Sequence, residues 1–180
     1  GKAVPTRNDL DVAIQGQRFF AVLTPNGTTQ YSRDGSFHLD ATGMLVNGDG
    51  LVVQPPITIP ADVISTTISA NGTVSVLTAS SPDTPIVLGQ LRLTNFINPQ
   101  GLQAVGGNRF VETTTSGVPL TNIPGTSGLG VLTQGSLEQS NVDTTTEMVR
   151  LTAMSRNYVA NSRALKVEDQ IVEGALNLVG

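Results

Sequence analysis

The 180-residue sequence has no cysteine and no tryptophan, and only one histidine, two tyrosines and five phenylalanines. Without cysteine there is no disulfide framework and no thiolate metal site, and the redox compartment cannot be read from thiol usage. The single histidine, His38, lies between Phe37 and Leu39 and has no second imidazole to join it in a metal site or a proton relay. It reads as an ordinary strand residue. Neither an H-E-x-x-H helix nor a G-x-S-x-G elbow occurs. With so few aromatics the core must be built from Val, Leu and Ile, and an aromatic-lined binding groove would be poorly supplied.

Charge is also sparse. Ten basic and fourteen acidic residues give a net charge of −4, without the basic stripe that contact with phosphate backbones requires, so nucleic acid is not an expected partner. No apolar run approaches the roughly 20 residues that span a bilayer, so direct membrane insertion is not expected, and residues 1–8 lack the charged-then-apolar order of a secretory signal. The pairs Asp9/Asp11 and Asp40/Asp49 offer the hard oxygens that calcium takes, but EF-hand spacing is absent and they read as turn carboxylates. Asn47-Gly48-Asp49-Gly50 is too short and isolated to cradle a phosphate. The expectation is therefore no catalytic, cofactor or metal site, no small-molecule substrate and no enzyme.

What the sequence does contain is 19 glycines, 10 prolines and abundant Thr and Ser, the profile of β-structure punctuated by turns. Arg18 to Thr24 precedes Pro25-Asn26-Gly27, Gln30 to Arg33 precedes Asp34-Gly35, and Met44 to Val46 precedes Asn47-Gly48-Asp49-Gly50. This pattern predicts successive antiparallel hairpins. From Pro55 to Phe96 the alternation of Ile57 and Ile59, Val74 and Val76, and Leu91 and Leu93 predicts a sheet with one buried face. Pro55-Pro56 and Asn98-Pro99-Gln100-Gly101 bracket that stretch. Residues 113–130 read as a long surface loop, and Val131 to Glu138 as a return to strand.

The character changes at Asn141. Thr144 and Glu147 have the spacing of a capping box, no proline follows, and Leu151, Tyr158, Leu165, Val172 and Val179 recur every seven residues. Met148, Met154, Ala175 and Leu176 fall on the same side, while Asn161 and Glu168 interrupt it. A single helix over 144–178 would be roughly 50 Å long, too long for a small β body to cover. Gly174 weakens it by about 1 kcal/mol relative to Ala, so it needs a partner. The bland alternative is an amphipathic helix packed on its own domain. The expected fold is mainly β with a long C-terminal α-helix: a discontinuous main β domain over 1–54 and 105–142, a smaller inserted β domain over 55–104, and an assembly helix over 143–180.

Three blocks carry a resemblance. Residues 6–20, Thr-Arg-Asn-Asp-Leu-Asp-Val-Ala-Ile-Gln-Gly-Gln-Arg-Phe-Phe, are close to N-x-L-D-V-A-I-x-G-x-G-F-F. The second block is Tyr31-Ser32-Arg33-Asp34-Gly35-Ser36-Phe37, continuing through Asp40, Gly43 and Leu45-Val46. The third is Gly135-Ser136-Leu137-Glu138-Gln139-Ser140-Asn141-Val142-Asp143, then Glu147-Met148-Val149 and Arg156, Tyr158 and Asn161. In that order they resemble the bacterial flagellar rod and hook protein family. Residues 54–60 and 89–96 look more like its distal-rod members than its proximal-rod or hook members. Two positions depart from the pattern: Arg18 stands where a second Gly is usual, and Ser155 where Gln is usual.

The resemblance implies a structural subunit of the basal-body rod, exported unfolded through the flagellar type III apparatus, whose partners are copies of itself and other rod and hook proteins. In such proteins terminal helices pair to form an inner tube while β domains pack outside. A long N-terminal helical segment is then expected ahead of the first block, and the chain reads as lacking it. The expected assembly seam is Met148, Leu151, Met154, Tyr158, Leu165, Val172, Leu176 and Val179. The rival reading is a secreted, adhesin-like β-domain binding module on a helical stalk, which would need an aromatic-lined groove.

Overall fold

The computed structural model describes residues 2–126, 130–139, 148–159 and 162. They belong to two compact units, Gly1–Gln139 and Ser140–Gly180. The first is antiparallel β throughout, and the second carries a helix over 148–159.

The largest sheet has seven strands, in the order β12 (Gln103–Gly106), β13 (Arg109–Val111), β4 (Thr29–Ser32), β3 (Phe20–Leu23), β7 (Val52–Gln54), β6 (Leu45–Val46) and β5 (His38–Leu39). A three-stranded sheet runs β10 (Ser81–Gln90), β9 (Thr73–Thr78) and β8 (Val63–Ile68). Three two-stranded pairs complete the unit: β1 (Ala3–Pro5) with β16 (Ser136–Glu138), β2 (Val12–Ile14) with β15 (Leu132–Gln134), and β11 (Leu93–Asn95) with β14 (Leu120–Asn122).

Local chemistry accounts for the tight turns. Between β3 and β4, Thr24 and Thr28 close the loop through Thr24 N–H to the Thr28 carbonyl at 3.0 Å, and Gly27 N–H donates back to the Thr24 carbonyl at 2.9 Å. Between β6 and β7 the buried Asn47 does the same work with its side chain: Oδ1 accepts from Asp49 N–H at 3.1 Å and from Leu51 N–H at 2.8 Å. Both hairpins stand where the Asn-Gly and Asp-Gly pairs predict them. The alternation in β9 is equally literal, with Val74, Val76 and Thr78 buried and Thr73, Ser75 and Leu77 half-buried.

Phe19 and Phe20 divide the interior. Phe20 is fully buried in the main core with Val12, Val22, Phe37, Leu45, Val53, Ile57, Val74, Leu91 and Leu93, and packs edge-on against Phe37 at 4.9 Å between ring centroids. Phe19 faces the other side, in a smaller core with Tyr31 and Phe96, and meets Phe96 and Phe110 edge-on at 5.9 and 5.7 Å. Successive residues of an extended chain point to opposite faces, so the Phe-Phe pair supplies one anchor to each core. In the smaller core, burial first and then the charge and hydrogen bond of Glu112 push the Tyr31 phenol up to about 12.

Two expectations fail. Asp34-Gly35 is not a hairpin turn: β4 pairs with β3 and β13, and β5 pairs with β6. The chain instead crosses to β2, where Val12 N–H donates to the Gly35 carbonyl at 3.0 Å and Asp11 bridges Ser36. Glycine is required because a Cβ there would overlap the Val12 carbonyl oxygen, a close approach and not a turn conformation. Residues 113–130 are likewise not all loop, since β14 lies within them and pairs with β11. The turn before Phe19-Phe20 is made by Gly16 at φ +121°, and among the described residues only Asn108 is a non-glycine with positive φ, so Arg18 substitutes for glycine without taking a left-handed conformation.

Gly35→Ala should destabilise the body by about 3 kcal/mol through overpacking. Gly27→Ala, where nothing lies within 4 Å and only the backbone sign is unfavourable, should cost about 1 kcal/mol. Chemical denaturation of the two variants checks this, and equal losses would contradict the close-approach account.

Candidate assembly site

The three sequence blocks meet at one place. Residues 3–5 pair with 136–138, Ala3 opposite Glu138 and Pro5 opposite Ser136, while residues 12–14 pair with 132–134. Gly135 joins the two ladders: its N–H donates to the Asp11 carbonyl at 2.7 Å and its carbonyl accepts from Thr6 N–H at 2.6 Å. Gln139 N–H donates to the Lys2 carbonyl at 2.9 Å, so Lys2 and Gln139 lie side by side where the chain leaves the first unit. Asn8 turns the chain between β1 and β2 by accepting from Leu10 N–H and donating its amide to the buried Asp11 carboxylate at 2.9 Å.

Arg33 locks this neck from the second block. Its guanidinium reaches Glu138 Oε1 at 2.6 Å and Oε2 at 2.8 Å, and donates to the Gly16 carbonyl at 3.2 Å. Burial alone would raise the Glu138 carboxyl; hydrogen bonds, those from Arg33 foremost, outweigh that and hold it below its usual range. A cavity of about 450 Å³ opens beside the pair, lined also by Ala3, Ile14, Gln15, Gly16 and Gln17.

Gln134 is a functional residue that sequence reasoning misses. From β15 its amide nitrogen donates to the carbonyls of Asp9 and Thr66, each at 2.8 Å, and its oxygen accepts from Ile68 N–H at 3.0 Å. One side chain thus completes the edge of β8 and ties the three-stranded sheet to the neck. No local signal marks it, because its partners are 66 and 125 residues away in sequence.

The predicted seam divides by description. Met148, Leu151, Met154 and Tyr158 lie on the helix over 148–159 and are 68, 65, 67 and 74% exposed. At about 100° per residue they fall, with Val159, within an arc of roughly 140°. Ser155 lies inside that arc, and Thr152 Oγ1 donates to the Met148 carbonyl at 2.8 Å. Leu165, Val172, Leu176 and Val179 lie outside the described residues, as do Thr144, Glu147, Asn161, Glu168 and Gly174.

The other candidate groups lie on strands and turns of the first unit. His38 is exposed on β5. Asp40 Oδ1 accepts from Thr42 Oγ1 at 2.7 Å and from Thr42 and Met44 N–H at 2.8 and 2.9 Å, bonds that lower its carboxyl, the Thr42 hydroxyl most. Asp49 lies 3.4 Å from Arg109. Among the described residues no three His, Asp or Glu side chains gather as metal ligands, and no helix is long and apolar enough to cross a membrane.

Residues 13–76 match the model of the flagellar hook protein FlgE/F/G D1 domain, and residues 133–178 that of the flagellar basal body rod FlgEFG protein C-terminal region. Over 180 residues the chain is 45% identical to the flagellar basal-body rod protein FlgG of Borreliella burgdorferi, covering 99% of this chain and 68% of the relative. The chain belongs to the FlgG family. A second member, from Caulobacter vibrioides, is 40% identical over 98% of this chain and 68% of its own length. The flagellar hook protein FlgE of Escherichia coli is 42% identical over 66% of this chain but only 29% of the hook protein. This chain spans about two thirds of the length of the FlgG relatives it matches. The FlgEFG C-terminal match begins at Thr133, within β15, so it includes the neck strand β16 as well as the described helix.

Glu138→Gln should cost about 2 kcal/mol at neutral pH, in the range of charge-assisted hydrogen bonds in a mostly buried pair. Because the folded-state carboxyl is lowered from 4.5, the stabilisation is present above that value and lost as pH falls through the folded value. Urea denaturation from pH 7 downward should show the difference between the two proteins shrinking as the pH falls below 4.5. A difference independent of pH would exclude the ion pair as its source.

Proposed function

We propose that this chain is a structural subunit of the flagellar basal-body rod, polymerising with copies of itself and with other rod and hook proteins into a helical tube that carries torque from motor to hook. The observation that carries this reading is the helix over 148–159, whose apolar arc of Met148, Leu151, Met154 and Tyr158 is 65 to 74% exposed. Fully burying such side chains is worth about 1.5–3 kcal/mol each. With its apolar arc exposed, this helix draws its stabilisation from packing that arc against helical segments in the rod. Leu165, Val172, Leu176 and Val179 extend the seam. Identical subunits joined head to tail, without closure, build an open filament, and FlgG relatives are named as rod proteins.

The remaining organisation follows the same logic. The stretch 55–104 is an inserted lobe on a main domain of 1–54 and 105–142, joined to it through the shared core of Ile57, Val74, Leu91 and Leu93 and tied to the neck by Gln134. Export runs through the flagellar type III apparatus, and the subunit acts without cofactor, substrate or catalysis. The binding-module reading is disfavoured by where the aromatics are: Phe19, Phe20, Phe37, Phe96 and Tyr31 are buried in the two cores, and Phe110 packs against the smaller one.

Replacing Leu151 and Leu165 together by Asp should abolish rod assembly, scored by electron microscopy of basal bodies, while leaving the melting of the β body unchanged within about 0.5 kcal/mol. Normal rods from the double variant would rule out the seam.

A further inference from the structure

Residues 93–108 and 113–137 carry no charged side chain. They pack together through β11 and β14, where Asn95 lies opposite Leu120. Extending that pairing by two residues places Ile97 beside Val118, and Asn98 N–H donating to the Ser116 carbonyl at 3.2 Å shows that the approach continues. Phe96 points inward to the smaller core, so its neighbour Ile97 points outward. Ile97 is 81% exposed, Val118 74% and Leu120 50%.

This apolar tip rests on a rigid base. Ser116 is fully buried: its hydroxyl accepts from Thr113 N–H at 2.9 Å, and its own N–H donates to the Thr113 carbonyl at 3.2 Å. Thr113 Oγ1 donates to the Gly101 carbonyl at 2.6 Å, and Asn98 donates its side-chain amide to the Thr115 carbonyl at 3.2 Å. Two β-branched side chains with few rotamers on a hydrogen-bonded platform lose little entropy on being covered. Beside Val118 and Pro119 runs an open groove of about 380 Å³ whose one charged lining residue, Glu112, lies 3.5 Å from the Tyr31 hydroxyl.

We infer that the Ile97–Val118 tip and its groove form a contact face that docks a second copy of this chain within the rod. The inference rests on the rod reading above. What singles out a copy as the occupant is charge: each chain carries net −4, and like chains approach best where neither presents charge to be buried unpaired. A strongly charged partner finds on this face a single carboxylate, Glu112, which already lies beside the Tyr31 hydroxyl. Exposed aliphatic groups preorganised in this way gain contact energy once a neighbour excludes water.

The test places the photo-cross-linker p-benzoylphenylalanine at position 97 or, separately, 118 in the full gene product, in cells that rely on it for their rods. Basal bodies are irradiated and the product's mass and cross-linked peptides are determined. A product containing two copies of the subunit, obtained from both positions, is the expected result. Cross-linking to a different basal-body protein, or none at either position in rods that assemble, would overturn the contact face while leaving the rod reading intact. Absence of the unsubstituted protein from basal bodies would instead sink the rod reading and this inference with it. A paired variant, Ile97→Ser with Val118→Ser, should lower the number of rods per cell at least tenfold with unchanged melting of the isolated subunit, since both side chains are largely exposed. Rods in normal number would likewise count against the face.

Discussion

Antiparallel pairing between residues 3–5 and 136–138, continued by 12–14 with 132–134 and closed by Arg33 on Glu138, is the constraint on which the first unit depends. It joins segments about 130 residues apart, so its loop-closure entropy is lost early and recovered only when the whole body has formed. Gly135 serves both ladders, and Gln134 carries the same junction to the three-stranded sheet. Lys2 and Gln139 are adjacent as a consequence, so a load arriving at either end of the unit meets the same pair of strands.

The two cores give that junction something stiff to hold. Phe20 and Phe37 stack edge-on in one and Phe19, Phe96 and Tyr31 in the other, on opposite faces of a single strand. Close-packed interiors are poorly compressible, and β-branched aliphatics around these rings have few alternative rotamers. A torque-carrying subunit benefits from such a body more than from a binding groove, and the placement of the aromatics inside the cores fits that demand.

Much of this was legible in the sequence because it is local. Asn26-Gly27 and Asn47-Gly48 mark real hairpins, Ile57, Ile59, Val74, Val76, Leu91 and Leu93 are buried as their alternation requires, and Leu151 and Tyr158, the first two positions of the seven-residue repeat, lie on a helix. What was not legible is non-local. Asp34-Gly35 has turn chemistry, yet its glycine answers to the Val12 carbonyl 23 positions earlier. Leu120–Asn122 sits among Pro, Thr and Gly and becomes a strand only because Leu93–Asn95 offers it an edge. Gln134 looks like any polar residue of an alternating strand until Thr66 and Ile68 are brought beside it. Local chemistry sets turns and faces, and chain closure sets partners.

The neck's place at the centre of the body is most directly tested by native-state hydrogen exchange of its backbone amides. Thr6, Gly135 and Gln139 N–H, all donated across the junction, should exchange only through global unfolding, as slowly as the amides of β3 and β4. Exchange of these three at loop rates while β3 and β4 remain protected would mean that the junction opens independently, and would contradict the account.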